Sequence, residues 1–363
     1  MIWLGQAAQG RDNNLNIIRY VAASAVLVSH AWPLTIGAGT AEPLEEFSGH
    51  SLGRLAVYVF FAISGFLITA SFTRSSTVMR FVSARIMRLM PGLVVSLIFV
   101  GLVLGPFTTN LPVVNYLSDP QTWRFIIANT TLVWPQYTLP GVFENNLYPT
   151  VEGSIWTLIH EVACYGFVFI CGIAGLLRSG WRMGLVLGLY AVSWIGTALL
   201  ADLIHPRLIL LQTLSLPFVL GMSAWVWRDR VPLSGWAALG LLGLWGALRD
   251  TPLAYPALIA AVGYGALWLA YVPASGWLRA YNQVGDYSYG TYIYAFPLQG
   301  LVVWAVGPTS PLAHVVLALP LTLVFAIASW HLIEAPAMTL LQRGRHPSQS
   351  RGKSKTQRDH DSP

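Results

Sequence analysis

The chain has 363 residues, of which 55% are apolar and only 10% charged, and its mean hydropathy is +0.58. A soluble domain carries about 25% charged residues, so this chain lacks the charge to cover a water-facing surface and reads as an integral membrane protein. Its net charge of +6 comes from basic residues scattered between apolar segments, which form no groove-sized patch for nucleic acid. Cys164 and Cys171 share one apolar run, which excludes a disulfide scaffold and a cysteine-based zinc site. No metal is expected.

A helix crossing the ~30 Å hydrocarbon layer needs about 20 mostly apolar residues. In chain order such segments fall at 15–34, 52–72, 82–104, 154–177, 182–201, 207–227, 233–248, 253–272, 284–306 and 312–334. The expected fold is an all-α, polytopic transmembrane bundle of about ten spans. The seventh segment is short and its neighbour carries Pro256, so nine or eleven spans stay open. The first segment holds Arg19 with no small-residue cleavage site after it and reads as a retained helix. With a cytoplasmic N-terminus, 17 of the 21 Lys and Arg fall inside, and only Arg54, Arg124, Arg207 and Arg249 fall outside. The positive-inside rule therefore places both termini in the cytoplasm. A membrane domain over 1–340 and a basic, Ser-rich, disordered cytoplasmic tail over 341–363 follow. The stretch 105–153 is the longest non-spanning one and is expected outside. No internal repeat of the kind that marks symmetric transporters is evident.

Ionisable groups at membrane depth are functional candidates by default. Arg19 and His30 lie eleven steps apart on the first helix, which puts them on one face, roughly 16 Å apart along the axis. An anion-holding group and a titratable base along one wall suit a ligand that threads the membrane; the alternative is a topological anchor and an interfacial histidine. In the second segment Ser64 and Gly65 let a helix or a ligand approach the backbone closely. Arg85 and Arg88 share a helical face at the start of the third span, where guanidinium groups make a phosphate site or simply obey the positive-inside rule. Glu161 sits about seven residues into the fourth span and calls for a cavity or an arginine partner, while His160 points about 100° away from it. In VGDYSYGTYIYAFPLQ the tyrosines read as an interfacial belt, and His331 and Glu334 in SWHLIEAP as interface residues. Gly49-His50-Ser51-Leu52-Gly53 matches the G-x-S-x-G elbow, but it lies where a loop enters a span, without the strand and sheet an elbow needs.

Taken in order, Arg19 and His30 with ten residues between, FFAISGFL, the Arg85/Arg88 pair, WTLIHE ending in Glu161, GDYSYGTYIY and the closing HLIEAP resemble acyltransferase family 3, the multi-pass membrane O-acyltransferases of bacterial polysaccharides and glycosides. The resemblance covers about residues 13–338. It implies transfer of an acyl group, usually acetyl, from cytoplasmic acetyl-CoA or another acyl-CoA to a hydroxyl of a carbohydrate-type acceptor at the outer side of a bacterial inner membrane. On it, His30 is the catalytic base, Arg19 its companion, Arg85 and Arg88 a cytoplasmic site tied to coenzyme A, and Glu161 part of the central pore. A histidine that often follows the tyrosines is replaced by Ala295-Phe296-Pro297, so no catalytic role is assigned to that turn.

The chemistry fits these residues. An alcohol is a poor nucleophile, and a neutral imidazole can take its proton as it attacks a thioester carbonyl; an acyl-histidine relay is the covalent variant. The competing function is a transporter or flippase in which His30 and Glu161 couple protons.

Overall fold

The computed structural model describes residues 2–10, 12–272 and 276–343; nearly all of the expected tail lies outside them. Ten helices coincide with the ten expected segments: α1 (Leu15–Ile36), α2 (Leu52–Arg74), α3 (Val78–Thr108), α4 (Ile155–Ile173), α5 (Gly180–Leu199), α6 (Pro206–Val226), α7 (Gly235–Ala247), α8 (Ala254–Tyr271), α9 (Ser288–Val306) and α10 (Pro311–Leu340). Eight are long and apolar enough to cross a membrane. The exceptions are α7, whose 13 residues reach only about 20 Å, and α9, which is long enough at 19 residues but less apolar, and which is buried along most of its length. The protein is a polytopic helical bundle. Its one sheet among the described residues is a two-residue pairing of Ile2–Trp3 with Pro232–Leu233.

The helices alternate between two ends. At one end the N-terminal strand meets the α6–α7 link, Arg74 donates to the Ala8 carbonyl, the Asn14 N–H bonds to Ala270, and the start of α9 meets α1 and α3. We call this the arginine end. At the other, the His30 end, Gly53 binds Ser29, Asn146 donates to the Gly300 carbonyl, and Arg207 stacks on Trp134. The stretch 105–153 packs over the His30 end and is more regular than its composition suggests. It carries helices at Val113–Ser118 and Pro120–Thr131, the latter capped by Asp119, which accepts the Gln121 N–H.

The centre is set by α2. Its sequence LGRLAVYVFFAISGFLITASFTR is buried on most sides, because small residues let neighbours come close. A Cβ at Gly65 would lie 2.0 Å from the Phe218 carbonyl oxygen of α6, and one at Gly221 would lie 2.1 Å from that of Ala62. The Ser51 hydroxyl of the elbow-like motif caps α2 by accepting the Arg54 N–H, while His50 faces Tyr58 and Tyr255. The motif is a helix start.

Both close approaches are backbone contacts that cannot relax by rotating a side chain. Gly65→Ala is therefore expected to destabilise the bundle by about 1–3 kcal/mol, read as a lowered thermal midpoint in detergent. Gly184→Ala, where a Cβ meets nothing, should leave the midpoint unchanged or raise it.

Candidate active site

Four ionisable residues converge where α1, α3 and α10 meet the start of α9. Arg19 Nη1 donates to Asp286 Oδ2 at 2.6 Å, and Arg88 Nη2 donates to the same oxygen at 2.5 Å. Arg88 Nη1 reaches Glu334 Oε2 at 3.0 Å. Ser288 Oγ donates to Asp286 Oδ1 and Ser329 Oγ to Glu334 Oε1, so both carboxylates are held on either oxygen. Tyr289 and Trp330 lie under the Arg88 guanidinium, at 5.7 and 5.6 Å. A π-helical turn at Trp330–Glu334 shifts the facing of α10 and sends Glu334 inward, 1% exposed. Such single π turns often occur at functional sites.

This geometry corrects two expectations. Glu334 is a buried ion-pair partner and not an interface residue. The tyrosines of α9 are not an interfacial belt: Tyr289, Tyr292 and Tyr294 are buried, because α9 is the enclosed helix. His331 meets the Tyr287 hydroxyl at 3.1 Å. Asp286, which organises the network, lies at the start of the 284–306 segment, two residues before α9, where the sequence marks it only as part of GDYSYGTYIY.

Beside the network, on the arginine-end side, lies a cavity of about 290 Å³ whose wall includes Arg19, Arg85, Arg88, Glu161 and Tyr165. Arg85 and Arg88 have separate surroundings there. Arg88 is neutralised by two carboxylates, whereas Arg85 has no ion pair among the described residues and its buried Nε has no hydrogen-bond partner. Glu161 Oε1 accepts from Ser64 Oγ at 2.8 Å and from the Tyr165 hydroxyl at 2.5 Å. Of the two environments expected for Glu161 it has the cavity, with no arginine ion pair among the described residues. Ser64-Gly65 serves both purposes: the serine faces the cavity and the glycine the helix contact.

A second cavity of about 710 Å³ opens toward the His30 end. His30 lines it, half-buried, with Phe296 edge-on at 5.2 Å and its Nδ1 buried without a hydrogen-bond partner. The Ala295-Phe296-Pro297 turn therefore sets the apolar flank of this imidazole. The remaining wall mixes Glu42, Arg54, Tyr137, Tyr148 and Trp156, two of them supplied by the 105–153 stretch. Glu42 accepts a hydrogen bond from Ser29, next to His30 in sequence. His160 is buried and turned away from Glu161, its Nδ1 bonded to the Trp156 carbonyl. Arg19 and His30 thus face two stacked cavities along one face of α1.

Glu152, just before α4, was not apparent from the sequence as a candidate. It is 1% exposed, its Oε1 accepts the Ser154 N–H at 3.1 Å, and burial pushes its carboxyl up to about 8.

The fold and this pair of cavities define a multi-pass membrane protein with ionisable groups drawn to the centre of its bundle. The chain belongs to the acyltransferase-domain family, whose model matches residues 12–331. It is 28% identical over 314 residues to a protein named O-acetyl transferase from Shigella phage Sf6, covering 81% of this chain and 86% of that protein. It is 27% identical over 375 residues to Nodulation protein 10 of Rhizobium leguminosarum bv. viciae, covering 92% and 95%. No solved structure matches.

Two stability outcomes follow. Arg88→Ala leaves Glu334 without an ion pair and Asp286 with one fewer, and should destabilise the fold by about 3–5 kcal/mol; Arg85→Ala, which breaks no ion pair, should leave the thermal midpoint near wild type. Glu152, whose carboxyl is raised in the folded state, favours folding below its unfolded pKa, and this contribution is lost as pH rises toward about 8. The thermal midpoint should fall between about pH 5 and about pH 8, and Glu152→Gln should reduce that fall.

Proposed function

We propose that the protein transfers an acyl group, acetyl foremost, from cytoplasmic acyl-CoA to a hydroxyl of a carbohydrate-type acceptor at the outer face of a bacterial inner membrane. The observation that carries this reading is the stacking of two cavities, with Arg19, Arg85 and Glu161 around one and His30 in the other. Family membership and the O-acetyl transferase name of the phage relative support it over a transporter. The excess of Lys and Arg in the segments assigned to the arginine end supports placing that end in the cytoplasm.

The residues divide the work by position. Arg85, whose buried Nε lacks a partner, fits a phosphate of the donor, since an anion there satisfies both its charge and its donors. Arg88 holds the wall in place through Asp286 and Glu334. Arg19, anchored by Asp286, presents the rest of its guanidinium to the same cavity, and the donor arm lies along Ser64, Glu161 and Tyr165. The acceptor enters from the other side, where the Tyr148 and Trp156 rings suit a sugar face and Glu42 and Arg54 its hydroxyls. His30 takes the proton of the attacking hydroxyl. The alkoxide oxygen bonds to the thioester carbonyl carbon, the C–S bond breaks, and the imidazolium returns its proton to the leaving sulfur. In the relay variant the imidazole nitrogen carries the acyl group between the two steps.

His30→Ala in purified, correctly inserted protein should lower transfer of label from acetyl-CoA by about 10²–10⁴-fold. Activity within a few-fold of wild type would rule out both the base and the relay. Arg85→Ala should raise the donor KM about ten- to a hundredfold, corresponding to one charge-assisted contact. Lysine there should restore it in part, because it keeps the charge and loses the fork.

A further inference from the structure

The two cavities abut without merging. Val57 of α2, Thr157 of α4 and Tyr292 of α9 line both of them, and all three are buried. The hydroxyls of Thr157 and Tyr292 are hydrogen-bonded to each other, and each lies within hydrogen-bond distance of the Ser154 carbonyl, at 3.2 and 3.1 Å. On the inner side the Phe60 ring meets Tyr292 edge-on at 5.9 Å. One apolar side chain and one hydroxyl pair, contributed by three different helices, thus separate Glu161 and Arg85 from His30.

We infer that Val57, Thr157 and Tyr292 form a septum that decides the fate of the acyl group, transfer to the acceptor or loss to water. The inference rests on the acyl-transfer reading above. A thioester reached by external water is hydrolysed: the water oxygen bonds to the carbonyl carbon, the C–S bond breaks, the sulfur takes a proton, and free carboxylic acid is released. Excluding water from a reactive donor until the intended nucleophile is in place is a recognised function of closed sites. The septum has the parts for it. The donor enters the inner cavity from the arginine end, while the outer cavity, with its charged rim, stays open toward the other. A seal closed by one hydroxyl–hydroxyl bond opens when two side chains part, and both hydroxyls keep the Ser154 carbonyl as a partner, so no buried donor is orphaned on opening. Thr157 and Tyr292 are accordingly positioning residues, acting on which nucleophile meets the thioester.

Cysteine labelling of the full chain in sealed proteoliposomes tests the barrier independently of chemistry. Ser64→Cys reports the inner cavity and Thr40→Cys the outer one, and an impermeant, positively charged methanethiosulfonate is added on the side that labels Thr40→Cys. Cys164 and Cys171 are buried, and the unsubstituted chain gives the background. Ser64→Cys should label an order of magnitude more slowly than Thr40→Cys. Adding Val57→Ala or, as a milder second variant, Tyr292→Phe should bring the two rates together. In the enzyme assay, Tyr292→Phe should raise the ratio of acetyl-CoA hydrolysis to transfer about three- to tenfold, the effect of one lost hydrogen bond, and Val57→Ala, which leaves a gap in the septum, should raise it in the same direction. Ser64→Cys that labels as fast as Thr40→Cys in the otherwise unsubstituted chain overturns the septum, whatever the enzyme does. Protected Ser64→Cys, together with an unsubstituted chain that neither transfers nor hydrolyses acyl groups, overturns the acyl-transfer reading and, with it, the septum's role in acyl fate.

Discussion

Everything in this bundle is arranged around four charges that lipid cannot solvate. Arg19 of α1, Arg88 of α3, Asp286 just before α9 and Glu334 of α10 each have a partner of opposite sign within 3.0 Å. A lone charge at such depth is costly, and a pair is tolerated only when its remaining donors and acceptors are filled. Here Ser288 and Ser329 fill the free carboxylate oxygens, and aromatic rings lie over the Arg88 guanidinium. The network sums to zero charge. That balance fixes the relative placement of four helices and leaves Arg85, which has no ion pair among the described residues, at the cavity wall.

From this constraint the division of the site follows. With α9 drawn inward by Asp286, its tyrosines point into the bundle, where Tyr292 reaches Thr157 and Phe296 reaches His30. The central helix α2 supplies Ser64 to one cavity and Val57 to both, and its Gly65 with Gly221 of α6 lets the two helices pack close enough to enclose it. The result is a membrane interior with two unlike chambers, one lined by guanidinium groups and a carboxylate, the other by an imidazole, aromatic rings and a carboxylate-bearing loop. The proposed function assigns an anionic thioester donor to the first chamber and a hydroxylated acceptor to the second.

Much of this was legible in the residues. The ten apolar segments became ten helices, and eleven steps of helical periodicity put Arg19 and His30 on one face, as found. Glu161 was readable as a carboxylate that needs a cavity or an arginine partner, because it lies about seven residues into its span, and packing chose the cavity. What was not legible depends on tertiary packing. Asp286 stands at a span end, where an aspartate is unremarkable, and only the approach of α1 and α3 makes it central. Glu334 turns inward because of a π-helical turn that no apolar period announces. Arg85 and Arg88 are equivalent by spacing, and carboxylates distant in sequence give them different surroundings. Thr157 and Tyr292 are 135 residues apart, and no local signal links them.

In the proposed mechanism, donor and acceptor meet from opposite sides of the membrane through these two chambers. Oriented, sealed proteoliposomes with labelled acetyl-CoA on one side and a carbohydrate acceptor on the other measure this directly. The account requires acylated acceptor when acetyl-CoA is supplied at the arginine end and the acceptor at the His30 end, and none when the two are exchanged. Product formed in the exchanged arrangement, or only when both substrates share one side, would contradict it.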